Sequence, residues 1–480
     1  MKNGTQQIPK LSTIWQSVGT RFLPFADAAS DDLPLGRLLR LFMFQLSVGM
    51  AAVLLTGTLN RVMIIELGVS TSLVAVMVAI PVLAAPFRAL IGHRSDTYRS
   101  FLGWRRVPFI WLGTLAQFGG LSIMPFALLI LQSQTTGPDW AGPAAAAVAF
   151  LLTGLGMHTT QTAGLALAAD LSTDENRPRV VALAFVVLLI GMIAGSIIFS
   201  LLLVDFTPKQ LIQVIQGAAV FTVVINVISM WKQEVSNPHE TRHERPRPTF
   251  RQALDTYRSN PRSGRLLLAV GLGSAAFSMQ DVLLEPYGAQ LLDLSVSQTT
   301  LLTGLWAMGT LMGFALAGQL LSKGYDMHRV AALGVLAGIF AFTAVIFSGM
   351  VQSDHMFRSG AFLIGFGGGL FAVGLMLAAI ELGDTSDSGF AIGAWGAVQA
   401  TAIGCALACG GLLRDLINAL ALSGSLGPTL NDPSTGYYGV YYLEIAMLFA
   451  TLVVLGPLTS RLPMRTTTNT RQFGLTELPG

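Results

Sequence analysis

The sequence is poor in charge. Charged residues make up 11% of the 480 residues, whereas soluble domains contain roughly 25%. Hydrophobic residues reach 52%, and the mean hydropathy is +0.61. A chain with so little charge cannot cover a water-facing surface, which excludes a soluble enzyme, a nucleic-acid-binding protein and a disordered scaffold. The net charge of +3 is too small for its sign to identify a partner.

Cysteine is also scarce, and the first residues show no signal-peptide pattern. The two cysteines, Cys405 and Cys409, lie in one apolar run, which predicts small packing residues and neither a disulfide framework nor a metal site. Residues 1–37 contain no apolar signal core or small-residue cleavage site, so we expect no cleaved signal peptide. Apolar residues at near-helical spacing in this segment predict a short interfacial helix, with a disordered tail as the alternative.

Long apolar runs are what the sequence has in abundance. A bilayer core of about 30 Å requires roughly 20 apolar residues of helix. Runs of that length are found at 39–62, 71–92, 107–132, 143–167, 179–204, 211–231, 265–290, 299–321, 330–350, 358–380, 391–413 and 438–459. They are too long and too continuously apolar for barrel strands. The predicted fold class is therefore all-α, a polytopic membrane protein with twelve transmembrane helices.

Positive charge is concentrated in alternate loops. The set that includes both termini carries most Lys and Arg residues, and the opposite set carries only Arg61, Lys209, Arg358 and Arg414. Because positive loops remain in the cytoplasm, both termini are predicted to be cytoplasmic. An even number of spans is required for that topology.

The chain also divides into two similar halves. Residues 232–264 are rich in Arg, His, Pro, Glu and Asn and predict a cytoplasmic linker. Leu67-Gly-Val-Ser returns as Leu294-Ser-Val-Ser, and Gly164-Leu-Ala-Leu-Ala-Ala returns as Gly374-Leu-Met-Leu-Ala-Ala, in the same order. The predicted organisation is an N-terminal segment (1–37), two six-helix bundles (38–231 and 265–460) joined by the linker, and a cytoplasmic tail (461–480). Such a duplication implies a central cavity between the bundles.

The loop after the second predicted span resembles the signature loop of the major facilitator superfamily. That loop joins a Gly, an acid four residues later and a basic cluster. The corresponding residues in this sequence are Gly92, Asp96, Arg99, Gly103, Arg105 and Arg106. Gly103 and the Arg pair come several residues later than in the usual pattern, so the gating role of that loop is not carried over unchanged.

Four further segments resemble the bacteriochlorophyll delivery family, the PucC and LhaA proteins of purple phototrophs. They are Pro24-Phe-Ala-Asp-Ala, Asn60-Arg-Val-Met, His158-Thr-Thr-Gln-Thr-Ala-Gly and Met279-Gln-Asp-Val-Leu-Leu-Glu-Pro-Tyr. The resemblance implies an assembly factor for light-harvesting complexes in the bacterial inner (intracytoplasmic) membrane, which handles bacteriochlorophyll or antenna polypeptides. The long N-terminal lead favours the LhaA branch, concerned with the core antenna.

The same resemblance implies a set of partners. They are membrane lipid, bacteriochlorophyll as cargo or ligand, light-harvesting antenna polypeptides, the reaction-centre core complex and pigment-synthesis enzymes. It implies no nucleic acid.

His158 is the histidine placed well within a predicted span. A neutral imidazole is a good axial ligand for the magnesium of a chlorin. Gln161 and Thr162 follow at three and four residues, where they could orient the imidazole or bond the carbonyls of the pigment. The alternative is a histidine that is hydrogen-bonded to a neighbouring helix and binds no pigment.

A second candidate site joins the first and seventh predicted spans. Asp281 and Glu285 are four residues apart and share a helix face, while Asn60 and Arg61 lie far along the first span. An ion pair from Arg61 to either carboxylate would close the cavity on its periplasmic side, with hydrogen bonds from Asn60. The competing roles are proton coupling and, for Arg61 and Glu285, simple solvation at the outer interface.

Two other functions compete with an assembly factor. A proton-coupled secondary transporter of a small solute would line its cavity with more polar groups than the first and fourth spans offer. A prenyltransferase requires paired Asp-rich motifs, and Asp31-Asp32 has no partner motif. We therefore expect no catalysis. Gly365, Gly367, Gly368 and Gly369 resemble no phosphate loop and predict close approach of helices or of a flat ligand.

Overall fold

The computed structural model describes residues 33–85, 91, 95, 104–132, 138–173, 176–234, 261–382 and 388–459. Four of the predicted signature-loop residues, Gly92, Asp96, Arg99 and Gly103, lie outside the described residues. So do residues 1–32, the linker from 235 to 260, and the tail from 460 onward.

The described residues form helices and no strand. Ten helices are long and apolar enough to cross a membrane, α7 is a bent pair that forms an eleventh span, and α2 is a thirteen-residue apolar helix. The helices are α1 Leu35–Glu66, α2 Thr71–Leu83, α3 Val107–Gln132, α4 Ala141–Leu171, α5 Arg177–Leu202, α6 Pro208–Met230, α7 Pro261–Ser278 with Leu284–Leu291, α8 Val296–Ser322, α9 Met327–Met350, α10 Asp354–Leu382, α11 Ser388–Leu422 and α12 Thr435–Leu455. Each predicted span has its helix, which confirms the all-α fold.

Each half of the molecule has its own apolar core. One core is built chiefly from α1–α6 and the other from α7–α12. The halves meet where α2 packs on α11 and α5 packs on α8. We call the end at which α6 ends and α7 begins the linker end. This arrangement in two bundles agrees with the sequence prediction.

Glycines let α8, α9 and α10 approach one another closely. A Cβ atom on Gly365 would lie 2.0 Å from the carbonyl oxygen of Trp306, and one on Gly367 would lie 2.6 Å from that of Gly334. A Cβ on Gly368 would make only an ordinary contact at 3.8 Å. The predicted role of these glycines in close helix packing is therefore confirmed for Gly365 and Gly367.

The seventh span is broken, whereas the sequence predicted one continuous helix over 265–290. Its two parts meet at a 43° bend, and Met279–Val282 forms a 3-10 turn between them. Pro286 has no backbone N–H for the carbonyl of Val282, and its ring crowds that carbonyl. Just before it, the backbone N–H of Leu283 donates to the carbonyl of Gln280 at 2.7 Å, which is the i to i−3 bond of a 3-10 turn. The break therefore lies directly beside Asp281.

The first span also departs from regular α-helix. Wider π-type turns run over Val53–Thr58 and Val62–Glu66, with Leu59–Arg61 between them. Gly57 lies in the first of these turns, where an added Cβ would meet the hydroxyl of Thr303 on α8. The wide turns thus accompany close contact between the two halves.

The two cysteines do not pack inside the bundle. Cys405 and Cys409 are both exposed on α11, with free thiols. They lie on the face of α11 that points away from its neighbours. The prediction that they are small packing residues is therefore wrong.

The basic pair of the signature loop is anchored at the linker end. Arg106 donates from Nε to Asp170 at 3.0 Å and from Nη1 to the Ser95 hydroxyl at 2.6 Å. Arg105 lies 3.7 Å from the same Asp170 carboxylate. These contacts join the start of α3 to the end of α4.

Glu234, at the start of the linker, caps α3. Its carboxylate accepts hydrogen bonds from the backbone N–H groups of Arg105, Arg106 and Val107, at 2.6 to 3.2 Å. A negative charge at a helix N-terminus is favourable because these N–H groups have no partner within the helix. The beginning of the linker is therefore part of the first bundle.

Candidate functional site

A small cavity lies between the two halves. Its volume is about 180 Å³, and apolar atoms form most of its wall. It is lined by Ala52 and Thr56 of α1, Met192 of α5, Gln280, Asp281, Leu284 and Glu285 of α7, and Thr303 and Trp306 of α8. The structure thus brings both predicted carboxylates to one central cavity, on opposite sides of the break in α7.

Glu285 is held from both halves of the molecule. Its side chain is buried, and it accepts hydrogen bonds from Asn60 Nδ2 at 3.2 Å and from Thr303 Oγ1 at 3.0 Å. Asn60 is fully buried and also donates to the main-chain carbonyl of Asp281 at 3.3 Å. Asn60 therefore connects the first bundle to both sides of the break in α7.

Asp281 is the more accessible of the two carboxylates. Its side chain is half-buried and accepts a short hydrogen bond from Gln280 Nε2. Within the part of the chain that the structure describes, neither Asp281 nor Glu285 forms an ion pair. The cavity therefore presents two acidic side chains to whatever enters it.

Arg61 does not form the predicted bridge. It pairs with Glu66 of its own helix and donates from Nη2 to the main-chain carbonyl of Leu294 at 3.2 Å. The prediction that Arg61 pairs with Asp281 or Glu285 is therefore wrong. The physical reason is the π-type turn over Val62–Glu66, because a turn with i to i+5 bonding places Glu66 on the same face as Arg61.

Away from the linker end, further hydrogen bonds join the halves, and we call them the interbundle seam. They are Thr58 with Thr300 at 3.3 Å, Ser196 with the carbonyl of Thr300 at 2.5 Å, Ser200 with Ser297 at 2.9 Å, and the N–H of Ser72 with Asp415 at 2.7 Å. Together with the bonds of Asn60 and Arg61, they close the cavity at that end.

His158 contacts a neighbouring helix. Its Nε2 lies 3.1 Å from the carbonyl oxygen of Pro81, in the last turn of α2. Thr162 donates to the main-chain carbonyl of His158 at 2.7 Å, and Gln161 donates to Gln45 at 3.3 Å. This is the alternative given in the sequence analysis, a histidine that is hydrogen-bonded to a neighbouring helix. Magnesium ligation through Nε2 would require the hydrogen bond to the Pro81 carbonyl to break.

The central cavity does not fit a chlorin pigment. Sites for drug-sized ligands have volumes of about 300–1,000 Å³, and this cavity has about 180 Å³. His158 is not among the residues that line it. The described conformation can hold a small polar group beside Asp281 and Glu285, and nothing as large as a tetrapyrrole macrocycle.

Sequence reasoning missed one buried acid near this site. Glu444 on α12 is fully buried, and both of its carboxyl oxygens have no hydrogen-bond partner among the described residues. The signal was present in the sequence, because Glu444 is the single charged residue of the run 438–459. A charge in the middle of a span is costly and marks a functional candidate.

The chain is similar over almost its whole length to known proteins. The family model described as PUCC protein matches residues 58–462. A Rhodobacter capsulatus protein named for the puhA-bchM intergenic region, which is uncharacterized, is 54% identical, with 96% of this chain and 98% of that one covered. Protein PucC of Cereibacter sphaeroides is 48% identical, with 92% and 96% covered.

Solved structures support the fold alone. A POT family transporter in complex with a thioalcohol conjugated peptide gives a TM-score of 0.65 at 13% identity, with 91% of this chain and 100% of that chain covered. The nucleoside transporter NupG gives 0.62 at 14% identity, with 88% and 99% covered. At such identities the likeness supports the two-bundle architecture and says nothing about a substrate.

Proposed function

Because the chain belongs to the PUCC protein family, we propose that it is an assembly factor for photosynthetic light-harvesting complexes. It would bind or deliver bacteriochlorophyll, antenna polypeptides or both within the membrane. The observation that carries the proposal is the match to PucC proteins at 47–53% identity over most of both chains. That match confirms the family resemblance of the four sequence segments.

The proposal includes a location and a set of partners. The protein is a multi-pass membrane protein, and we place it in the bacterial inner (intracytoplasmic) membrane with both termini in the cytoplasm. The concentration of Lys and Arg at the linker end supports that orientation. Antenna polypeptides, the reaction-centre core complex and pigment-synthesis enzymes are the proposed protein partners, and the core antenna is the proposed complex. No catalytic reaction is assigned.

Bacteriochlorophyll is the proposed cargo, but the central cavity does not fit it, so no step of the proposal passes through that cavity. His158 stays the proposed axial ligand, for a state in which its contact with Pro81 is released. His158→Leu separates the two roles. A loss of folded protein in the membrane would indicate the structural contact, and a loss of pigment per folded protein would indicate ligation.

A clean deletion of the gene tests the proposal. We expect less assembled antenna, measured as the absorbance of core and peripheral complexes in membranes, with full recovery when the wild-type gene is restored. Core absorbance should fall more than peripheral absorbance. Growth on common nutrients should be unchanged. Normal antenna absorbance in a strain without a second family member would contradict the proposal.

A proton-coupled transporter of a small solute is the second candidate. Two observations favour it: the transporter fold, and the acidic side chains of Asp281 and Glu285 in a cavity of suitable size. Normal antenna in the deletion strain, combined with loss of uptake of one solute, would select this function.

A further inference from the structure

Glu444 lies in an environment that disfavours an ionised carboxylate. It is fully buried in the middle of α12, and neither carboxyl oxygen has a hydrogen-bond partner among the described residues. An ionised carboxylate without a partner in an apolar interior is strongly unfavourable. Glu444 must therefore carry a proton or bind a cation for much of the time.

The surroundings of Glu444 contain further polar atoms without partners. The Asp281 carboxylate repels a negative charge on Glu444, whereas the backbone N–H of Gln280 stabilises it. The side-chain oxygen of Gln280 and the hydroxyl of Tyr441, one turn before Glu444, also have no partner within the described ranges. A protonated Glu444 has one O–H donor and can give it to an acceptor oxygen of this group.

The corresponding interface of the first bundle contains a neutral polar side chain that has hydrogen-bond partners. There α6 faces α1 as α12 faces α7, and Asn226 of α6 is fully buried. Its amide joins the Ser47 hydroxyl at 2.8 Å and the Thr114 hydroxyl at 3.0 Å. That interface uses a neutral side chain with partners on both sides, whereas α12 places at the break of α7 an acid whose carboxyl oxygens have no hydrogen-bond partner in the part of the chain that the structure describes.

The break in α7 connects Glu444 to the central cavity. Gln280 and Asp281 lie in the 3-10 turn that packs against α12, and both also line the cavity. Asp281 is half-buried, whereas Glu444 is fully buried. A proton that enters the cavity can therefore reach Asp281 first and Glu444 second.

We propose that Glu444 is a proton-binding site that exchanges with the central cavity through Asp281. In the transfer, the Asp281 carboxylic acid loses its proton and the Glu444 carboxylate gains it, so the pair holds one proton and one negative charge before and after. The inference does not depend on which cargo the protein handles.

Other titratable groups face this site from the packed helices. On α7 they are Asp281, Glu285 and Tyr287, and on α12 they are Tyr437, Tyr438 and Tyr441. On α11, Arg414 lies 4.5 Å above the Tyr437 ring and pairs with Asp415, and Cys405 and Cys409 are exposed. Residues 330–350 of α9 contain no titratable side chain. Asp281 is thus the acid placed to exchange a proton with Glu444.

Infrared difference spectroscopy of the full-length protein in lipid nanodiscs tests the proposal. Acidic and alkaline samples are compared, and the carbonyl stretch of a protonated, buried carboxyl is followed in H₂O and D₂O. We expect that band in the wild type and its loss in Glu444→Gln. The matched control is Glu381→Gln, because Glu381 is exposed at the end of α10, and this variant should keep the band.

Asp281→Asn tests the route. The Glu444 band should remain, but its shift after transfer to D₂O should slow at least tenfold. If Glu444→Gln does not fold, as judged by size-exclusion chromatography, Glu444→Asp replaces it and should move the band. An unchanged spectrum in the Glu444 variant would overturn the site, and unchanged exchange in Asp281→Asn would overturn the route. Loss of the band when sodium chloride replaces choline chloride at constant pH would show a cation site instead.

Discussion

Asn60 should control how often the cavity opens away from the linker end. It donates from the first bundle to Glu285 at 3.2 Å and to the main-chain carbonyl of Asp281 at 3.3 Å. Asn60→Leu keeps the bulk and removes both bonds. At about 1 kcal/mol for each hydrogen bond, the closed state should lose about 2 kcal/mol. Because 1.4 kcal/mol corresponds to about tenfold, the open population should rise roughly 30-fold.

Alkylation of a single cysteine measures that population. Cys405 and Cys409 are first replaced by Ala, and Ser200→Cys then places a thiol in the interbundle seam. Ser200 is buried and bonded to Ser297 at 2.9 Å, so a maleimide reaches position 200 only when the seam opens. The labelling rate should rise about 30-fold in Asn60→Leu. The matched control is Thr56→Val, because the hydrogen bond of Thr56 among the described residues lies within α1, to the carbonyl of Ala52.

Equal labelling rates in Asn60→Leu and Thr56→Val would refute the reasoning. That result would mean that the Asn60 bonds persist in both states, or that other contacts of the seam determine opening. A higher rate in both variants would indicate that any disturbance of α1 loosens the seam, and the special role of Asn60 would then be lost.

Two further predictions concern packing and charge. Gly365→Ala should lower the melting temperature in detergent, since a Cβ 2.0 Å from a neighbouring carbonyl oxygen costs about 1–3 kcal/mol. The control Gly368→Ala should leave the melting temperature unchanged, and equal melting temperatures of the two variants would contradict the prediction. Glu66→Gln should destabilise the protein more than Arg61→Met, by on the order of 2 kcal/mol. Glu66→Gln leaves the buried Arg61 charge without its ion-pair partner, whereas the Glu66 carboxylate that remains in Arg61→Met is partly solvated. The opposite order in thermal unfolding would count against the pair.

The helices were predictable because each depends on a long local signal. A run of about 20 apolar residues can satisfy its backbone in lipid only as a helix, and every predicted span has its helix. The break in α7 was harder to predict. Pro286 indicated a local defect, but the position of the 3-10 turn over Met279–Val282 depends on packing against α11, and to a smaller extent against α12 and α2.

The partner of Arg61 could not be predicted from a regular helix. At about 100° per residue, a residue five positions on lies far around the helix, so a regular helix does not predict Glu66 as the partner of Arg61. The π-type turn that brings it to Arg61 runs over Val62–Glu66, where α1 packs against α2 and the second part of α7. The meeting of Asn60, Asp281 and Glu285 was predicted correctly, because facing spans in a two-bundle fold place them together. The hydrogen bond of the His158 ring goes to the main-chain carbonyl of Pro81. Every residue has such a carbonyl, so the sequence could not identify this acceptor.

The cap of Glu234 on α3 has a consequence for dividing the gene into two halves. A first fragment that stops at Met230, where α6 ends, would leave the N–H groups of Arg105, Arg106 and Val107 without their acceptor. A fragment extended through Glu234 keeps that acceptor on the same polypeptide. Co-expressed halves divided after Glu234 should therefore reassociate with a properly ended α3, whereas a division four residues earlier should fray it.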